Sequence, residues 1–271
     1  MGFLSDAISH WLALPVPLML SALLLLLVSC AAGVYLLIAG QRTGAFMRST
    51  CVAPPVVIVP ITVMFSLLAG FLAAEISQRN ASAKRCVADE GRALMTIDSL
   101  TQTSQSRFDD ARNAARRYAA IVVTEEFPRF GEQGESPAAT AALADLERMA
   151  ARHAFDAGSA GVVADRIMQA VLLLQQSRTE RELVRQGNSG LQWITVLSLS
   201  LLCIVSVALT HAEKPQAAIA AWSLFIPAMF VVMGVLALRE NPFNPPISVS
   251  QAPLDAAARC LSADGFHKAQ D

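Results

Sequence analysis

The chain has 271 residues, of which 54% are hydrophobic and only 16% charged, with a formal net charge of −1. That balance excludes an ordinary soluble domain, and a near-neutral chain offers no field to gather nucleic acid. The apolar residues are also clustered: Leu12–Gln41, Val52–Ala74, Leu191–His211 and Pro215–Leu238 contain no Asp, Glu, Lys or Arg. Each run holds about 20 residues or more, enough at about 1.5 Å per residue to cross a hydrocarbon core of about 30 Å.

The fold class read from this pattern is all-α. It is a polytopic membrane protein with four transmembrane helices and a helical cytoplasmic domain between the second and third. Spans are expected at about 12–40, 52–74, 191–210 and 216–238, so the chain divides into a first hairpin (1–74), a water-exposed helical block (75–190), a second hairpin (191–238) and a tail (239–271). Met1–Trp11 carries Asp6 and neither Lys nor Arg, and the apolar run behind it is too long for a signal-peptide core, so the first span is read as retained. Cys30, Cys51, Cys86, Cys203 and Cys260 are widely spaced and form no Cys-x-x-Cys or Cys/His cluster. They read as ordinary thiols that require no oxidising compartment.

In chain order, the first span opens after Pro15 and Pro17, and its Ser21, Ser29, Gly33 and Gly40 fall near one face, suited to close helix packing. The second span carries Pro54 and Pro55 at its start and Pro60 in its interior, where a kink is expected. Ile61, Phe65, Leu68 and Leu72 share one face of it; Thr62, Ser66 and Gly70 share another. At Glu75 charge begins, yet the helical pattern continues through Ile76, Ala83, Val87, Leu94 and Ile97 to about Leu100. The polar run Thr101–Ser106 reads as a turn and cap.

A second helix of the block is expected from Arg107 to Phe127, with Phe108, Ala111, Ala115, Tyr118 and Val122 as its seam and Pro128 as its stop. After the loop Arg129–Pro137 come helices over 138–153, burying Leu143, Leu146 and Ala150, and over 162–186, burying Val163, Ile167, Ala170 and Leu174, with the loop Ala157–Gly161 between them. Gly187–Gly190 reads as a hinge into the third span. The short link His211–Pro215 forces the last two spans into an antiparallel hairpin, and Pro227 bends the fourth. The tail passes Pro242, Pro245 and Pro246 in extended form and ends in a short helix over 254–261.

Four spans place both termini and the block on one side. Near the span ends that side holds Arg79, Lys84, Arg85, Arg92, Arg178, Arg181, Arg185 and Arg239, against Arg42, Arg48 and Lys214 on the other. The excess assigns block and termini to the cytoplasm of an inner (plasma) membrane. In that position the triplet Asn80-Ala81-Ser82 is no glycosylation site.

The chemistry is mostly defined by what is missing. No ionisable carboxylate or base lies inside a span, which argues against a proton relay, an ion-coupled transporter or a voltage sensor. No phosphate loop, GxSxG or HExxH is present, and His10, His153, His211 and His267 are isolated, so no enzyme, cofactor or metal site is expected. Glu125 with Glu126, and Asp109 with Asp110, are carboxylate pairs that could bind a cation, but the first sits at a helix C-terminus, where the dipole disfavours it. Arg116–Arg117 either meets an anion or pairs with acids on a neighbouring helix; pairing is the simpler reading.

Three stretches resemble a known family, the bestrophin-like bacterial membrane proteins, whose shared domain has no assigned function. They are Val87-Ala88-Asp89-Glu90-Gly91-Arg92-Ala93-Leu94, the run Arg117–Pro128, and Pro242-Phe243 followed by Val249-Ser250-Gln251-Ala252-Pro253-Leu254. Relatives have Trp where this chain has Phe127, and Asp-Arg before the Pro-Phe where it has Glu240-Asn241; Pro245 stands where a Gly soon follows in relatives. The resemblance implies oligomeric anion channels with four spans per subunit, a cytoplasmic helical region and a pore narrowed by apolar residues of the second span. A calcium clasp finds no matching motif here.

The expected function is therefore an oligomeric, channel-like membrane protein conducting small anions. Ile61, Phe65, Leu68 and Leu72 are the candidate pore-lining residues, and Glu75 and Arg79 the candidate polar mouth. Its partners are the lipid bilayer and copies of itself. The alternative is a membrane-anchored scaffold or sensor whose cytoplasmic helices bind a partner.

Overall fold

The structure, a computed structural model, describes residues 2–40, 56, 58–103, 107–155, 161–187, 189–212, 214–245 and 248–263. The expected link 41–51 with Arg42 and Arg48, Cys51, Pro54, Pro55, the loop 157–160, Pro246 and His267 lie outside them. Among the described residues every regular element is helical.

By contact the chain divides into two compact units, Met1–Ser77 with Asn188–Glu240, and Gln78–Gly187 with Asn241–Asp271. The first unit opens with α1 (Gly2–Leu12), a helix that the sequence pattern did not separate from the span behind it. Pro15, which cannot donate a main-chain N–H, precedes α2 (Val16–Ala39). Trp11 Nε1 crosses the break to donate to the Met19 carbonyl at 2.9 Å, and its ring meets Trp193 edge-on. The third and fourth spans are α8 (Gly190–Thr210) and α9 (Pro215–Leu238). Among the described residues four helices are long and apolar enough to cross a membrane: α2, the first part of α3 (Ile58–Thr103), α8 and α9.

The core of this unit joins Met19, Leu23 and Leu27 of α2 to Trp193, Cys203 and Ile204 of α8 and Trp222, Met229 and Met233 of α9. Trp222 buries its ring and donates to the Ile204 carbonyl at 3.2 Å, which satisfies its one polar atom. Ser21, Ser29 and Gly33 do not pack within the chain as expected. They are exposed, and the two hydroxyls turn back to the carbonyls of Leu18 and Leu26. Leu23, Leu27 and Ala31 take the inner face instead.

α3 is a single helix of 46 residues. Pro60 is the third residue of its described part. Its second part belongs to the second unit, where Ala83, Val87, Leu94 and Ile97 are buried as the periodicity predicts. Around them stand α4 (Asp109–Ile121), α6 (Pro137–Phe155) and α7 (Gly161–Gln186). The tail is not a separate appendage. Phe243 and Val249 enter this core, and α10 (Ala252–Ala263) lays Leu254, Ala257 and Leu261 into it.

Candidate functional site

The site begins with a change of helical register. α4 does not stop at Pro128 as the sequence suggests. It widens into a π-helical turn over Val122–Glu126, in which the Phe127 N–H bonds the Val122 carbonyl five residues back. A tight turn, Phe127–Arg129, and the short helix α5 (Phe130–Gln133) follow. Gly134, at φ 73°, closes the segment in a conformation open to glycine and costly for other residues. Pro128 lies in the first positions of that tight turn.

The wide turn delivers Glu126 into the second unit, where it is 1% exposed, while Glu125 remains at the surface. The two are therefore not a cation-binding pair. Glu126 accepts from Arg178 Nη2 at 2.7 Å, from Arg181 Nη2, and from the Ser136 N–H at 2.7 Å. Arg178 also donates to Thr140 Oγ1 at 3.1 Å and lies 3.5 Å from Glu135. Arg181 is paired with Glu90 of α3 at 3.3 Å, and Tyr118 Oη donates to the other oxygen of Glu90 at 2.6 Å. The Phe130 ring covers the Arg181 guanidinium at 4.4 Å. Two acids and two arginines are thus buried together, with balanced charge, at the centre of the unit.

Burial would expel single charges, and balance is what retains these. Burial first, and then the Glu90 charge, push the Tyr118 phenol well above its usual range, so it stays a neutral donor. Burial works to lower Arg181, but the Glu90 and Glu126 carboxylates overcome it and hold the guanidinium above its ordinary value. Near the edge, the Arg185 hydrogen bonds draw Glu182 below the usual carboxylate range.

A second, part-buried pair joins Asp98 of α3 to Arg112 Nε of α4 at 2.9 Å. Asp110 meets His153 Nε2 at 2.6 Å, so that residue too is spent on a helix contact. Arg116 donates to the Leu261 carbonyl at 2.7 Å, whereas Arg117 is exposed. Among the described residues no group of three or more His, Cys, Asp and Glu is placed to hold a metal ion.

In the first unit, the residues expected to line a pore occupy the packed side of α3. Phe65 and Leu72 are 8% and 1% exposed, and Ile61 and Leu68 lie half-buried against the same core. The face left open is Val59, Val63, Met64, Leu67 and Phe71, each 57–61% exposed. Helical spacing identifies both faces but does not say which one the other spans claim. Glu75, half-buried, accepts from Gln192 Nε2 at 2.9 Å. Arg79, in the second unit, donates to the Gly187 carbonyl at 3.3 Å. Glu240 accepts from Trp193 Nε1 at 3.0 Å and from the Ser189 hydroxyl, tying the start of α8 to the end of α9.

Sequence reasoning missed Glu90, Arg178 and Arg181 as a set, because they come from distant helices. A signal was present: each falls on the apolar stripe of its own helix, Glu90 between Val87 and Leu94, and Arg178 and Arg181 one and two turns past Leu174.

The three resemblance stretches meet here, and comparison with known proteins agrees. The bestrophin-like domain family matches residues 19–254, and the chain belongs to that family. Solved structures of a bacterial bestrophin homologue from Klebsiella pneumoniae share the fold. A variant with a leucine-to-threonine substitution superposes with a TM-score of 0.68 at 13% identity, covering 90% of this chain and 98% of that one. A second structure of that homologue, phased with zinc, gives 0.66 at 12%, covering 89% and 96%. No curated protein matches the sequence.

Proposed function

We propose that this member of the bestrophin-like family assembles with copies of itself in the inner membrane and conducts small anions, with the second unit in the cytoplasm. One observation carries the reading. α3 buries one face in its own chain and leaves Val59, Val63, Met64, Leu67 and Phe71 open, a continuous apolar surface without a charge. Facing copies of such a surface form a constriction that passes or blocks ions by wetting and dewetting, and this needs no intramembrane charge. One subunit with four spans encloses no such path, so a closed ring of copies is part of the proposal. The side chains we assign to the path are those of the open face, in place of Phe65 and Leu72. Glu75 is where charge first appears along α3, with Arg79 one turn beyond, and the two remain our candidates for the polar mouth.

The test is purified protein in planar bilayers, with its oligomer verified. The expected result is discrete, anion-preferring conductance that rises when Leu67 or Phe71 is replaced by Ser. Silent bilayers across pH and voltage, or conductance indifferent to both substitutions, would overturn the reading. A second reading, a membrane-anchored scaffold, is favoured by Leu172 and Leu183, which stand more than half exposed on one face of α7. It predicts silent bilayers and a partner captured through that face, lost in L172D.

A further inference from the structure

We infer that Gln251 is a positioning residue: its side-chain amide holds the Val122–Glu126 turn in its wide register and so places Glu126 between Arg178 and Arg181. This goes beyond the channel reading and does not depend on it.

The argument starts from a missing donor. In the wide register each N–H reaches the carbonyl five residues back, and the Phe127 N–H is spent on Val122. The Val123 carbonyl would then take its bond from residue 128, which is proline and has no N–H. A main-chain carbonyl left without a partner away from water is costly. Gln251 Nε2 fills the gap, donating to the Val123 carbonyl at 3.0 Å. The same nitrogen donates to Asp255 Oδ1 at 3.1 Å. Two acceptors on one nitrogen fix which way the amide faces, since the flipped group would set oxygen against oxygen.

Gln251 is itself held. α10, which it precedes, is seated by Leu254, Ala257 and Leu261 and by the Arg116 bond to the Leu261 carbonyl. Gly91 lets the Pro253 carbonyl come to 2.8 Å from where a Cβ would stand. The donor therefore comes from a docked element and not from a wandering side chain. The stakes are angular. A register change of one residue turns everything beyond it by about 100°, which would carry Glu126 away from both arginines. The tail thus supplies the residue that aims the buried cluster.

The experiment uses the full chain in detergent micelles, reading hydrogen exchange of peptides spanning 122–133. Q251M keeps the length of the side chain and removes the donor. It should speed exchange there about tenfold while leaving the first half of α6 unchanged. P128A restores a main-chain N–H opposite Val123, so the same Q251M substitution made on the P128A background should change exchange less than about twofold. Equal effects of Q251M on the two backgrounds would show that Gln251 only packs, and an unchanged Q251M would also overturn the inference. If Q251M does not fold, Q251N, one methylene short, is read by the same ratio.

Discussion

Replacing Glu126 by Gln is the sharpest perturbation of the second unit. The carboxylate accepts three donors, two of them guanidinium groups that are themselves 3% and 0% exposed. The amide keeps its size but offers one acceptor oxygen and turns an NH2 toward a cation. Of their acid partners Arg178 keeps only the peripheral Glu135 and Arg181 only Glu90, so two buried positive charges face one buried negative charge. Breaking a buried pair by removing one partner costs about 3–5 kcal/mol; because two arginines share this acid, the upper half of that range is expected. Denaturant unfolding in mild detergent, with E125Q as the surface control, measures it. E125Q should lie within about 0.5 kcal/mol of the natural protein. An E126Q protein as stable as E125Q would refute the view that buried charge balance holds the unit together.

Tyr118→Phe removes the donor to Glu90 and should cost about 1–3 kcal/mol. The Tyr118 pKa is raised in the fold, so its contribution is complete below the unfolded value of about 10 and is lost as pH rises above it. The stability difference between the natural protein and Y118F should therefore shrink from about pH 10 upward, and a difference constant to pH 11 would contradict the assignment. Gly91→Ala sets a Cβ 2.8 Å from the Pro253 carbonyl and should free α10, read as protease cleavage within 248–263 that the natural chain resists. Burial, with Glu180 beside it, pushes the Cys86 thiol up to about 11, whereas Cys260 is exposed. Maleimide at pH 8 should label Cys260 within minutes and Cys86 only after unfolding, as peptide mass spectrometry can show.

The four long apolar helices and the helix running past Glu75 were legible because each rests on a one-dimensional property: charge-free length or period. The seam Phe108, Ala111, Ala115, Tyr118 and Val122 is buried throughout, as its spacing predicts. Two things were not legible. The π turn was invisible because Val122–Glu126 obeys α-helical spacing as well as any other segment; only tertiary partners for Glu126 and for the Val123 carbonyl select the wider winding. The open face of α3 was not assignable because the packed and free faces are equally apolar, and in lipid hydrophobicity does not distinguish them.

That the resemblance stretches meet in one place bears on what such stretches mean. Glu90, of the first, pairs with Arg181 and accepts from Tyr118, of the second. Gln251, of the third, bonds the Val123 carbonyl of the second, and Phe243 stacks edge-on against Phe127 and Phe130. Gly91 makes room for Pro253. Each contact serves the geometry of the second unit, and among them no side chain belongs to the apolar face of α3 that we assign to permeation. A shared motif of this kind specifies how a charged core is closed by a proline-interrupted helix and a returning tail. On the reading we propose, selectivity can vary at little cost to the fold, because Val59, Val63, Met64, Leu67 and Phe71 stand more than half exposed. Substitutions there should alter conductance with little effect on stability, and substitutions in the cluster should do the reverse.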